Sequence, residues 1–162
     1  MKKINIILVS LLMMTIPSIG FGDVIDKLNE TGKFTKLNET LQKSGLDENL
    51  KGKGPFTVFA PLDDAFAAIS AKTYYGLLRE DNKDKLINIL GRHVFSKKIT
   101  SSDIEGETKL KAINGEEITI KKVNGIVYVN EAEVVTADIE VTNGVIHFIN
   151  RVLQPLNWLL LI

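Results

Sequence analysis

Between Asp23 and Ser44 the apolar residues recur at helical steps. Val24, Ile25 and Leu28 fall on one face, followed by Phe34, Leu37 and Leu41, a spacing that turns one stripe of a helix toward a core. Gly32 breaks this stretch in two and Gly45 supplies a left-handed stop, after which Lys51-Gly52-Lys53-Gly54-Pro55 forms a flexible approach to the next element. Phe56 to Ala60 is a short β-type run containing Thr57 and ended by Pro61, and Asp63 is then placed to cap a helix opening at Asp64-Ala65-Phe66. A further helical stretch from about Asn82 to Leu90 turns Leu86, Ile87, Ile89 and Leu90 inward and stops at Gly91. Arg92 to Phe95 reads as extended.

From Thr108 onward the period changes to two, punctuated by Asn-Gly pairs at Asn114, Asn124 and Asn143. Such pairs suit the positive φ angles of two-residue hairpin turns. A turn at Asn124-Gly125 pairs Val123 with Ile126, which puts Ile118, Ile120, Val127 and Val129 on one face and Glu117, Thr119, Lys121 and Asn130 on the other. The same count about Asn143-Gly144 groups Ala137, Ile139, Val141, Ile146 and Phe148, and sets His147 opposite Glu140. Helices therefore come first and a β-rich half follows, without the strand-helix alternation that demands a parallel sheet. The fold class is α+β, with N-terminal helices packed at one side of an antiparallel β-sheet or β-sandwich wedge.

Two segments carry a family resemblance. The first is Gly54-Pro55-Phe56-Thr57-Val58-Phe59-Ala60-Pro61-Leu62-Asp63-Asp64-Ala65-Phe66, and the second is Asn143-Gly144-Val145-Ile146-His147-Phe148-Ile149-Asn150-Arg151-Val152-Leu153-Gln154-Pro155. They resemble the two signature boxes of the fasciclin domain, in the family's order and spacing. In physical terms both boxes read as folding devices: Pro61 ends a strand, Asp63 caps a helix, Phe66 returns to the core, and a hairpin strand runs on into Val152 and Leu153. The resemblance implies a wedge-shaped extracellular adhesion or interaction module that catalyses nothing. It implies partners among the proteins or polysaccharides of a cell envelope or extracellular matrix. Many adhesive animal members carry a Tyr-His pair after the central helix, and the matching positions here are Arg92 and His93. A site retained there would use the guanidinium to fork onto an acidic partner.

The N-terminus changes the setting. Met1-Lys2-Lys3 precedes an apolar run from Ile4 to Ile19, and Gly20 and Gly22 stand at the small-residue positions of a signal-peptidase site. Cleavage is expected before Asp23, making residues 1–22 a removed signal peptide and 23–162 one domain, exported to the periplasm or secreted. The other reading of the run is a membrane anchor, although it falls short of the about 20 apolar residues a bilayer needs. The remaining 140 residues suffice for one core, and their 18 Lys+Arg against 20 Asp+Glu give a formal charge of −2. That balance argues against nucleic acid, which needs a concentrated basic surface. The chain has no cysteine, so disulfides, thiolate metal sites and lipidated cysteines are excluded.

Little reactive chemistry is written in the chain. Its only histidines, His93 and His147, sit inside apolar stretches with no metal-ligand spacing, and read as hydrogen-bonded parts of the fold. No nucleophile elbow, phosphate loop or dinucleotide fingerprint occurs, and Ser101-Ser102-Asp103 reads as the cap of a short helix. No cofactor or metal is expected. An alternative function is a periplasmic small-molecule or glycan-binding protein, for which Tyr74, Tyr75 and Tyr128 are the candidate aromatics. The apolar end Trp158 to Ile162 is either a strap on the domain's own core or a sticky patch for a partner.

Overall fold

The computed structural model describes residues 22–155 and Trp158. The expected leader as far as Phe21 and the apolar end from Leu159 lie outside the described residues. Helix α1 (Val24–Thr31) opens with a reciprocal cap between Asp23 and Asp26, and it ends at Gly32 with φ 67°. Helix α2 (Thr35–Ser44) ends at Gly45 with φ 79°, and α3 (Leu46–Leu50) follows directly. Both glycine stops expected from the sequence are present, each in the left-handed conformation that glycine adopts without a Cβ penalty.

Strand β1 (Phe56–Pro61) leads into a 3₁₀ segment, Asp63–Ala68, and then α4 (Ala71–Leu77) and α5 (Lys83–Gly91). The extended reading of Arg92 to Phe95 shrinks to β2 (Val94–Phe95), because Arg92 still has helical backbone angles. The second half supplies β3 (Glu107–Lys111), β4 (Glu117–Val123), β5 (Ile126–Val129), β6 (Ala132–Val141) and β7 (Gly144–Ile149). They form one seven-stranded sheet in the order β2-β1-β7-β6-β5-β4-β3.

All neighbouring strands but one run antiparallel. The exception is the central pair, β1 with β7, which is parallel from Phe56 beside Gly144 to Pro61 beside Ile149. The antiparallel sheet expected from the sequence holds for every other neighbouring pair. Strands β1 and β7 are covered on both faces, which is why each reads as a nearly unbroken apolar run rather than an alternation. Val58, Ala60, Ile146 and Phe148 pack against Leu28, Phe34, Leu41 and Leu90 of the helical layer. Phe59 and Ile149 turn to the opposite side, where the sheet closes over them with Ile118, Ile120, Val127 and Val129. The result is an α+β wedge with one core between helices and sheet and a second inside the curled sheet.

The Asn124-Gly125 hairpin has the expected register, Val123 beside Ile126, with φ 51° and 81° at its two turn residues. The second hairpin turns one residue earlier than expected. Val141 pairs with Gly144, so Thr142 and Asn143 make the turn, and a bulge between Thr136 and Ile139 shifts the register again. Ile139, Val141, Ile146 and Phe148 still share a core, but Ala137 faces solvent. Glu140 faces Val145 rather than His147, and its carboxylate pairs with Lys98 at 2.8 Å.

Candidate partner-binding site

The polar residues of the two boxes are cross-links. Thr57 is fully buried; its hydroxyl donates to the Lys97 carbonyl and accepts from the Ile99 amide at 2.8 Å. His147, from the neighbouring strand, donates through Nε2 to the Ile99 carbonyl at 2.7 Å and accepts at Nδ1 from the Asp138 amide at 3.1 Å. Both backbone groups of Ile99 are thus satisfied by side chains from β1 and β7, which fixes the crossing from β2 to β3 over the sheet. The His147 ring stacks on Phe59 with centroids 5.1 Å apart. Its partner is Asp138, held in the left-handed region at φ 61° by the bulge, and not Glu140.

Asn143 performs the same task at the other end of β7. Its Oδ1 accepts from the Val24 amide at 3.1 Å, and its Nδ2 donates to the carbonyls of Leu50 at 2.7 Å and Gly52 at 2.8 Å. One side chain therefore ties the start of α1 and the end of α3 to the sheet. Gly144 beside it permits the close approach of Phe56, whose amide donates to the Asn143 carbonyl at 2.9 Å.

Asp63 caps a different helix from the one expected. Its carboxylate accepts from the Lys36 amide in the first turn of α2 at 2.9 Å, while its own 3₁₀ segment has Leu62 at the N-cap position and no side-chain cap. Asp64 is exposed, Pro61 closes β1 beside Ile149, and Phe66 is buried edge-to-face with Tyr74 at 5.9 Å. Tyr74 belongs to the core, with its hydroxyl donating to Glu39 at 2.5 Å. Burial, together with that carboxylate, raises its pKa. It is not available to an aromatic ligand site; Tyr75 is 65% exposed on α4, and Tyr128 lies on the outer side of the sheet.

The expected contact pair Arg92 and His93 lies inside the protein. His93 is 2% exposed; Nδ1 donates to the Ile89 carbonyl at 2.9 Å and Nε2 accepts from the Leu153 amide at 2.9 Å, so the ring joins the end of α5 to the second box. Burial pushes its pKa down to about 4, and burial likewise lowers that of His147, so both rings are neutral near pH 7. Both placements agree with the reading of these rings as hydrogen-bonded parts of the fold, and His93 has no free nitrogen to offer a partner. Arg92 is buried as well. Its side chain is 8% exposed and forms an ion pair with Glu116, while its Nε has no hydrogen-bond partner among the described residues. Burial lowers the guanidinium pKa.

Arg92 borders a cleft of about 1140 Å³ between the 3₁₀ segment, the β4 and β5 ends and the chain after β7. Both boxes reach it, the first through Asp64 and Ala65 and the second through Asn150 to Pro155. Glu116, Glu117, Asn130 and Glu131 complete its polar wall. Sequence reasoning missed this grouping because its members come from five separate stretches that only the sheet topology brings together. With Asp64, Glu116, Glu117 and Glu131 against Arg92 and Arg151, the wall is acidic. The expected preference of Arg92 for an acidic partner is corrected accordingly, since its charge is already matched by Glu116. Trp158 packs partly buried against the helical core, its amide donating to the Pro155 carbonyl at 3.1 Å.

These features define a class: a wedge of helices and curled sheet whose two box segments carry the adjacent strands β1 and β7, tied into the fold by buried polar side chains. The fasciclin domain model matches residues 32–155, and the chain belongs to that family. It is 43% identical over 142 residues to Protein sll1483 of Synechocystis sp., covering 88% of this chain and 74% of that one. It is 38% identical to transforming growth factor-beta-induced protein ig-h3 of Sus scrofa over 88% of its length, but spans only 20% of that longer protein. A solved FAS1 domain pair from the insect cell adhesion molecule Fasciclin I shares the fold with a TM-score of 0.73 at 22% identity, over 85% of this chain and 52% of that one.

Proposed function

We propose that this protein is an exported, non-catalytic interaction domain that binds a protein or polysaccharide partner at the cell envelope or in extracellular matrix. The observation that carries the reading is the use of the box side chains. Thr57, His93, Asn143 and His147 are closed inside the fold as hydrogen-bond cross-links, so the residues that look most like chemistry serve rigidity. A rigid frame with variable surface is what a binding module requires. An insect cell adhesion molecule carries a pair of domains with this fold, which supports adhesion as the setting. Among the described residues no helix is long and apolar enough to cross a membrane.

Export follows from the leader reading, with residues 1–22 removed and 23–162 released as a single domain to the periplasm or medium. Mass spectrometry of the exported protein is expected to find Asp23 at the N-terminus; an intact Met1 would reject cleavage. Immobilised protein exposed to envelope extract and to a glycan array tests the binding role. Saturable retention of a partner is the expected outcome, and turnover of an extract component in place of retention would count against it.

A further inference from the structure

The cleft beside Arg92 has donors, acceptors and charges in an arrangement that selects a ligand. Asn130 accepts from the Thr119 amide at 3.1 Å and Asn150 from the Glu133 amide at 2.9 Å. Each carboxamide is thereby fixed through its oxygen, and its NH₂ has no protein partner among the described residues. Asp64, Glu117 and Glu131 form no ion pair among the described residues, and Arg151 is the one cleft cation in the same condition. A separate observation concerns Arg92, which lines the cleft: its side chain is 8% exposed and keeps an Nε–H without an acceptor among the described residues. An unpaired buried donor is unfavourable, and an acceptor that reaches it from the cleft relieves it while Glu116 keeps the charge matched.

We propose that this cleft is a docking groove for an extended, basic peptide segment of the partner; the proposal rests on the interaction reading above. An extended peptide offers a carbonyl acceptor at each residue for the carboxamides of Asn130 and Asn150 and for the arginine donors. Its Lys or Arg side chains meet the unpaired carboxylates of Asp64, Glu117 and Glu131. An acidic segment would face like charge, which discriminates against it. A sugar polymer would find no aromatic platform, because among the described residues no Phe, Tyr or Trp lines the cleft.

The test titrates the ¹⁵N-labelled protein with a decapeptide of alternating Lys and Val, and with its Glu-Val counterpart. The Lys peptide is expected to shift the amide signals of Glu117, Asn130, Glu131, Asn150 and Arg151 saturably, and more weakly at higher salt. The double substitution Glu117→Lys with Glu131→Lys, at two exposed positions, is expected to weaken that binding about tenfold or more without moving the thermal midpoint. Equal binding of the Glu peptide, shifts centred elsewhere, or no saturable shift overturns the proposal. Envelope retention separates it from the broader reading. If the double variant still retains the wild-type partner, the groove is wrong and the interaction role stands; if wild type retains nothing, the role itself fails.

Discussion

Gly144 and Phe56 stand side by side in the parallel pair of β1 and β7, so close that a Cβ on Gly144 would collide with the Phe56 carbonyl and lie 2.9 Å from its amide nitrogen. The obstacle is backbone on both sides, with no flexible side chain to move. Gly144→Ala is therefore expected to destabilise by about 3 kcal/mol, the upper part of the range for overpacking. Urea midpoints would show it, and a loss below about 1 kcal/mol would mean that the two strands separate easily.

Asn143 holds α1 and the end of α3 through three hydrogen bonds. Asn143→Ala leaves the Val24 amide and the Leu50 and Gly52 carbonyls without that partner. A loss of about 2–4 kcal/mol is expected from unsatisfied groups of this kind. Amide exchange at Val24 should speed up more than at Ile118, which sits in the other core. Uniform acceleration across both would contradict the local role.

Acid should destabilise the protein through its histidines. Folded His93 titrates near 4, below its ordinary value of 6.5, and His147 is lowered in the same direction. Between those values the unfolded chain binds more protons than the folded one. Stability therefore falls as pH drops from about 6.5 toward 4, by about 3 kcal/mol for His93 alone. Asp138 adds to the trend at lower pH: burial opposes its ionisation, but hydrogen bonds from Ser101 hold its carboxyl below the usual range. The urea midpoint at pH 4.5 should be well below that at pH 7, and an unchanged midpoint would rule out neutral buried rings.

Phe66 packs in the helical core at 5% exposure, whereas Lys121 lies on the outer side of β4 with its ammonium 5.9 Å over Tyr128. Phe66→Ala is expected to cost about 3–5 kcal/mol and Lys121→Ala under about 0.5 kcal/mol. Comparable losses in denaturant midpoints would show that the assignment of inner and outer faces is mistaken.

Local rules in the sequence determined the elements whose causes are local. Gly32 and Gly45 end helices because each must adopt positive φ, and Asn124-Gly125 sets the β4–β5 register because its turn geometry allows one pairing. The two signature boxes were legible as folding devices for the same reason. Tertiary structure alone decided which partners those boxes take. A continuous apolar run is silent about strand direction, so the parallel contact of β1 with β7, across more than eighty residues of chain, could not be read from either segment. The bulge in β6 moved His147 from Glu140 to Asp138 by shifting a register that a two-residue count assumes unbroken. Asp63 found the amide of Lys36 because helix α2 packs beside it, and Arg92 went inside because Glu116 arrived from the turn between β3 and β4 to match its charge. Hydrogen bonds and ion pairs are satisfied by whatever group the packed chain brings within reach, and the hydrophobic pattern that drives the packing does not name that group.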